Sequence, residues 1–330
     1  MTTTTEKAVR CMLAMQRHCW EQGVCAQALY EAGREELWIP MAYDAIQRQS
    51  EDGRLALMGG SNAVSDPAAN GEVCLRAWER TGEERYLLGA RRMLTYLETT
   101  APRTKDGIIC HNLISFEEGY SPYQLWVDGL YMVPPFLAVM GQVTEAAEQI
   151  RGYFRHLYDD DSGLFYHIID TETGRFVRPK HWATGNGWAL MGLARVIEEA
   201  GRQGFSEISG ELVDLLKKVL DAMHGYQMPD GRFHDILDDP DSFVDGTSAM
   251  MMAATVYRGV CNGYLTRDYI EAADRAVRTV TGYVDEYGLV HGVCGCPRFT
   301  TEGTSAEAQA SLIMAMAWKE KWMGKGLLQL

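Results

Sequence analysis

The sequence predicts an all-α protein: an (α/α)6 barrel, a toroid of six helical hairpins with short β-hairpins in its loops, forming a single domain over residues 1–330. Two observations carry this. Amphipathic helical patterns run along the whole chain, and two series of turn motifs recur between them at nearly constant spacing. A third observation, the lack of any linker between the repeating units, argues for one domain.

The first helical stretch, EKAVRCMLAMQRHCWEQGVCAQALYEAG, ends on Gly33, a residue suited to a helix C-terminus. ANGEVCLRAWERTG and EERYLLGARRMLTYLETT follow as two amphipathic helices around a Thr-Gly turn, and the alternation continues to SAEAQASLIMAMAWKEKW. One series of turns, EDGRLAL, KDGIICH, DSGLFYH, PDGRFHD and EYGLVHG, places Gly53, Gly107, Gly163, Gly231 and Gly288 at steps of 54, 56, 68 and 57 residues. Each follows a helix and should form a short extended segment or hairpin. The second series, SDPAANG, LWVDGLY, TGNGWAL, VDGTSAM and EGTSAEA, is marked by Asp66, Asp128, Gly187, Asp245 and Thr304, at steps of 62, 59, 58 and 59. Its Asp, Ser, Thr and Gly residues favour N-caps, so a helix should begin at each. Such a period accommodates two helices of about 12–20 residues with their loops. An open solenoid would need polar capping repeats at both ends, and neither terminus reads as one. In a closed ring the inner helices' N-termini converge on one face, where their partial positive charge suits anions and sugars. Asp66 and Asp128 should line that pocket.

With 330 residues, 46% of them hydrophobic, a large core is available. Acidic residues number 45 against 31 Lys and Arg, a net charge of −14, which disfavours nucleic acid as a partner. An anionic ligand would need a local cluster of Arg, Lys or His. No apolar run is long enough for a membrane span, and MTTTTEKAVRCMLAMQRHCW lacks the pattern of a secretory signal. A cytoplasmic location is therefore expected, with the eight cysteines reduced, most of them in apolar helical patterns. Cys294 and Cys296 form a C-x-C beside His291, but no second pair follows at zinc-site spacing, so no metal is expected. Oligomeric state is not legible.

YSPYQLWVDGLYMVPPFLA contains a single acidic residue, Asp128, among Trp126, Leu130, Tyr131 and Met132. A carboxylate buried there must be hydrogen-bonded, paired or protonated. Taken alone, Asp128 reads equally as an N-cap or an ion-pair partner, and Asp66, before Pro67, as an N-cap. His111 and His167 each follow a repeat turn on the side of the expected pocket. Trp126, Trp182 and Trp188 suit either the core or the stacking of sugar rings.

YQLWVDGLYMVPPFLA, HWATGNGWALMGLARVIEEAG and SDPAANGEVCLRAWERTGEERY together resemble the unsaturated rhamnogalacturonyl hydrolases of glycoside hydrolase family 105, and more distantly the unsaturated glucuronyl hydrolases of family 88. The resemblance runs in order from about Trp20 to CGCPRF. It implies the same six-hairpin barrel, and as substrate an oligosaccharide ending in a 4,5-unsaturated uronic acid. It further implies hydration of the enol-ether double bond, with no metal or organic cofactor. By resemblance, Asp128 is the proton donor and water activator, with its pKa raised by its aromatic setting, and Asp66 is the second carboxylate. His111, His167, Trp126 and Trp188 contact substrate, Lys180 and His181 could serve the uronate, and His234 and Arg298 are weaker candidates. The family pattern W-x-R-x-x-G-W has Thr184 at its arginine position here. Threonine cannot form a bidentate clamp on a carboxylate, so either another cation takes that role or the substrate is held differently. Galacturonyl-rhamnose is the leading substrate, with an unsaturated glucuronyl hydrolase or a catalytically inactive sugar-binding barrel as the alternatives.

Overall fold

Outer and inner helices alternate along the chain. The computed structural model describes residues 3–57, 61–115, 117–296 and 298–327. Its outer helices are α1 (Thr3–Met15), α3 (Glu35–Gln47), α5 (Glu84–Thr99), α8 (Val143–Leu157), α10 (Ser206–Gly225) and α12 (Ile270–Gly282). Each is followed by an inner partner: α2 (Cys19–Glu31), α4 (Ala69–Thr81), α6 (Gly129–Met132) with α7 (Pro134–Val139), α9 (Ala183–Arg202), α11 (Thr247–Asn262) and α13 (Ala306–Leu327). The outer helices bury one stripe, as α12 does with Ala272, Ala273, Ala276, Val277 and Val280. The inner ones are buried nearly all round, and α11 accordingly carries the run AMMMAATVY. The third inner helix is split because Pro134 and Pro135 cannot donate backbone hydrogen bonds to the preceding turn.

Inner helices pack in the cyclic order α2, α4, α7, α9, α11, α13 and back to α2. At the seam, Gln309 on α13 donates to the carbonyls of Ala8 (3.1 Å) and Gly288 (2.8 Å). A polar network inside the ring touches every inner helix. Arg195 on α9 pairs with Glu31 on α2 and with Glu72 on α4 (2.8 Å). Arg258 on α11 (2.9 Å) and the indole N–H of Trp318 on α13 (2.7 Å) also reach Glu31. Tyr131 on α6 joins through Gln27, which donates to Glu72.

The turn glycines behave as their spacing predicts. Gly53, Gly107, Gly163, Gly231 and Gly288 all have positive φ, between 73° and 104°. Hairpins form around them, as in the antiparallel pair β2 (Tyr158–Asp159) and β3 (Leu164–Phe165) and the bridges Arg103↔Ile109 and Val284↔Val290. A Cβ on Gly288 would sit 2.4 Å from the Lys7 backbone on α1, so this hairpin can press against the first helix only without a side chain. The second series also marks helix starts, with one exception. Gly187 lies a turn inside α9, which begins at Ala183, with Thr184 in its first turn.

The one sheet of three strands among the described residues is built from β1 (Gln124–Trp126), β4 (Ile168–Asp170) and β5 (Arg175–Arg178). It places Trp126 opposite Ile168 and Ile168 opposite Arg178. Smaller pairs are β6 (Phe233–His234) with β7 (Val244–Asp245), and β8 (Val293–Cys294) with β9 (Glu302–Gly303). The cysteines are free thiols, and among the described residues no helix is long and apolar enough to cross a membrane.

Candidate active site

Three aspartates stand at inner-helix starts, and they do different things. Asp245 acts as a cap: its carboxylate accepts the backbone N–H groups of Thr247 (2.8 Å), Ser248 (2.9 Å) and Cys294 (2.8 Å). Asp128 occupies the N-cap position of α6 but makes no side-chain cap bond. Asp66 opens a short 3₁₀ turn before α4, and its carboxylate faces His111 instead, with His111 Nε2 at 3.7 Å. The helix-capping reading therefore fails for these two, whose carboxylates are left for other chemistry.

A wall of alternating imidazole and indole rings joins them. Ser65 Oγ meets His111 Nδ1 at 2.7 Å, and the His111 ring stacks on Trp126 at 4.6 Å between centroids. Trp126 meets His167 edge-on, and His167 in turn stacks on Trp182 at 4.5 Å. His167 Nε2 is 3.5 Å from Asp128 Oδ2, an oxygen with no hydrogen-bond partner among the described residues. The carboxyl side chain of Asp128 is 18% exposed and that of Asp66 10%, against 5% for the His167 side chain, so of these groups Asp128 is the most open to a ligand. Trp182 closes the row by donating its indole N–H to Asp235 (3.0 Å) and by packing on Phe299, which adopts a positive φ of 52°.

The glycine after Asp128 is dictated by packing. A Cβ at Gly129 would lie 1.9 Å from Tyr153 Oη. Gly129→Ala is therefore expected to destabilise the protein by about 1–3 kcal/mol and to shift Asp128, with lower activity. Adding Tyr153→Phe should restore part of the stability in a urea titration. Equal stability of Gly129→Ala and wild type would show that the contact yields freely.

The model of Glycosyl Hydrolase Family 88 matches residues 1–308 of the chain. The chain belongs to glycosyl hydrolase family 88. It is 29% identical over 286 residues to the unsaturated rhamnogalacturonyl hydrolase YesR of Bacillus subtilis, covering 83% of this chain and 78% of that protein. It is also 28% identical over 185 residues to an unsaturated 3S-rhamnoglycuronyl hydrolase of Alteromonas sp., covering 51% of this chain and 43% of that relative. The fold matches the crystal structure of a possible member of glycoside hydrolase family 105 from Salmonella enterica, with a TM-score of 0.82 at 19% identity over 96% of this chain and 92% of that one. The protein is thus a glycoside hydrolase of the unsaturated uronyl hydrolase group, with the six-hairpin barrel that its repeats predict.

The electrostatics of this family 88 site reverse one expectation. Burial pushes the Asp128 carboxyl up, but the His167 imidazole beside it, with His111 beyond, holds it below the ordinary aspartate value. Asp66 is the carboxyl that is raised, by burial first, with the neighbouring Asp128 adding to the effect against His111. The aromatic setting alone would raise Asp128; the histidine stacked within that setting decides otherwise. Burial lowers His167, so near neutral pH it is an uncharged imidazole with Nε2–H facing Asp128.

Other sequence-derived candidates fall in different places. Thr184 is buried and donates its hydroxyl to Asp245 (3.1 Å). Trp188 lies in the core with its ring tilted on Tyr131 at 4.7 Å. His181 is fixed between Asp238 (2.8 Å) and Asp159 (3.4 Å) and stacks on Tyr166. Lys180 is exposed, 4.0 Å from Asp239. His234 Nδ1 contacts the Ser242 carbonyl, and Arg298 is exposed beside Phe299. The thiols of the C-x-C diverge: Cys296 donates to Glu21, and Cys294 lies beside Asp235 and Asp245. Among the described residues no group of three or more His, Cys, Asp or Glu is placed to hold a metal ion.

Sequence reasoning missed Ser65, Asp235, Arg178 and Glu307. Asp235 is pushed up to about 6 by burial and by Asp245. Glu307, in the first turn of α13, accepts a long hydrogen bond from Trp20 (3.4 Å) and has one buried oxygen unpartnered. Burial first, then Glu21, raises it from an ordinary 4.5 to about 8. The folded protein therefore holds a proton that the unfolded chain releases across this window, and stability falls as pH rises through it. Glu307→Gln, nearly the same shape but uncharged, is expected to be more stable than wild type at the alkaline end of the window. Denaturation midpoints against pH check this; parallel curves for the two proteins would contradict it.

Proposed function

We propose that this enzyme removes a 4,5-unsaturated galacturonic acid from rhamnose at the non-reducing end of lyase-generated oligosaccharides. The observation that carries the reading is the pairing of Asp128 with Asp66 across one histidine and tryptophan wall, with neither carboxylate used for capping. The similarity to YesR supports rhamnose as the leaving sugar.

The chemistry follows from two carboxyl groups in unlike environments. The free protein holds Asp128 ionised. A bound uronate brings another negative charge beside it, raising its pKa so that it takes a proton as substrate arrives. Asp128 then delivers that proton to C4 of the enol ether. The π electrons form the C4–H bond, and positive charge develops on C5 and the ring oxygen, where Asp66 and the ring faces of Trp126 stabilise it. Asp128, again a carboxylate, accepts a proton from water as the water oxygen bonds to C5. The resulting hemiketal opens by breaking its bond from C5 to the ring oxygen, leaving a ketone at C5 and a hydroxyl at C1. The C1 hemiacetal then expels the neighbouring sugar as an alcohol. The rule that relates carboxylate separation to anomeric stereochemistry does not apply, because no displacement occurs at the anomeric carbon.

A second reading is an unsaturated glucuronyl end on the same sugar, because the similarity to the Alteromonas 3S-rhamnoglycuronyl hydrolase supports rhamnose without specifying galacturonic acid as the uronyl group. A panel of unsaturated galacturonyl and glucuronyl disaccharides, followed by loss of enol-ether absorbance, separates them. The highest kcat/KM is expected for galacturonyl-rhamnose, and preference for a glucuronyl end would replace that assignment with the second.

A further inference from the structure

We propose that Arg178 is the cation that holds the substrate's uronate, in the role that Thr184 cannot fill. The inference rests on the proposed hydration of an unsaturated uronide. The uronate must approach Asp66 and Asp128, with Asp235, Asp245 and Glu307 also near the site, in a protein carrying −14 overall. A fixed positive charge is needed there. Of the cations suggested by the sequence, all but Arg298 are engaged or uncharged, His111 lying between Ser65 and Asp66. His181 is held between two aspartates, Lys180 is exposed beside Asp239, and burial keeps His167 neutral near neutral pH.

Arg178 differs from them in three ways. It ends β5, in the row that runs from Trp126 through Ile168, so the sheet carrying the site's indole also carries its guanidinium. Its Cζ lies 5.9 Å from the centre of the Trp182 ring, the indole on which His167 stacks. Its side chain is half-buried, its charge acts on both His167 and Asp235, and among the described residues it has no ion-pair or hydrogen-bond partner. A guanidinium lying over an indole at this distance spends none of its N–H donors on it, so they remain free to grip a carboxylate bidentately. Arg298 is also unpaired among the described residues, but it is exposed, and Arg178 is the arginine whose charge reaches the ring wall.

The test measures binding rather than turnover. In the Asp128→Asn background, affinity is measured by calorimetry for unsaturated galacturonyl-rhamnose and for its uronate methyl ester, which has the same shape without the charge. The acid should bind about 10- to 100-fold more tightly than the ester, as expected for a charge-assisted hydrogen-bonded pair. Arg178→Gln should abolish that preference by weakening the acid alone, and Arg178→Lys should retain part of it. Melting curves establish that the variants are folded. An acid-to-ester ratio unchanged in Arg178→Gln, or no binding of either compound, would overturn the inference. Turnover of the disaccharide by the unmodified enzyme is read separately: its absence counts against the hydration reading, whereas turnover with an unchanged ratio removes only Arg178.

Discussion

Asp128→Asn is expected to lose at least about 10²-fold in turnover while folding as the wild type does. The amide matches the carboxylate in shape but cannot carry a proton to C4 or take one from water. Folding should survive because Asp128 Oδ2 has no hydrogen-bond partner among the described residues and the side chain caps no helix. Steady-state rates with circular dichroism and melting curves check both halves. A folded variant with near wild-type rates would remove Asp128 from the chemistry.

The second large effect is on stability. Arg195 is buried, pairs with Glu31 and Glu72, and lies over the Tyr131 ring. Arg195→Met would leave Glu72 with Gln27 as its hydrogen-bond donor among the described residues and weaken the hold on Glu31, which Arg258 and Trp318 still contact. Breaking a buried pair from one side costs about 3–5 kcal/mol, a large part of the 5–15 kcal/mol by which domains are typically stable. Urea denaturation should show this loss, and Glu72→Gln added to Arg195→Met should return part of it. A loss within the error of the extrapolation would mean that the network is not what ties the inner helices together.

The fold was legible because its signals are local. A positive-φ glycine after five of the six outer helices and an Asp, Gly or Thr marker near the start of five inner ones are written in short motifs, and their spacing gives the repeat. Gly187 was misplaced by one turn because TGNGW offers several small residues and the helix begins ahead of them, at Ala183. Asp128 and His167 could be singled out as candidates, but the sign of the Asp128 shift could not. It depends on a histidine from another loop arriving at 3.5 Å, information absent from the WVDG motif. Thr184 looked like a loss of anion-binding capacity; in the fold its hydroxyl is bonded to Asp245, the aspartate that does cap a helix. Trp188 suited a sugar-stacking role by sequence, yet it is 2% exposed and packed on Tyr131. Arg178 gave no signal, since only the three-strand register and the turn before α9 bring it over Trp182.

The central claim, hydration of the enol ether rather than displacement at the anomeric carbon, is tested most directly by the fate of the double bond in heavy water. Unsaturated galacturonyl-rhamnose is incubated with the enzyme in D₂O, and the initial product is followed by NMR and by its enol-ether absorbance. Hydration predicts that absorbance falls in step with rhamnose release and that one deuterium appears at C4. Release of rhamnose with the double bond intact and no deuterium at C4 would contradict it.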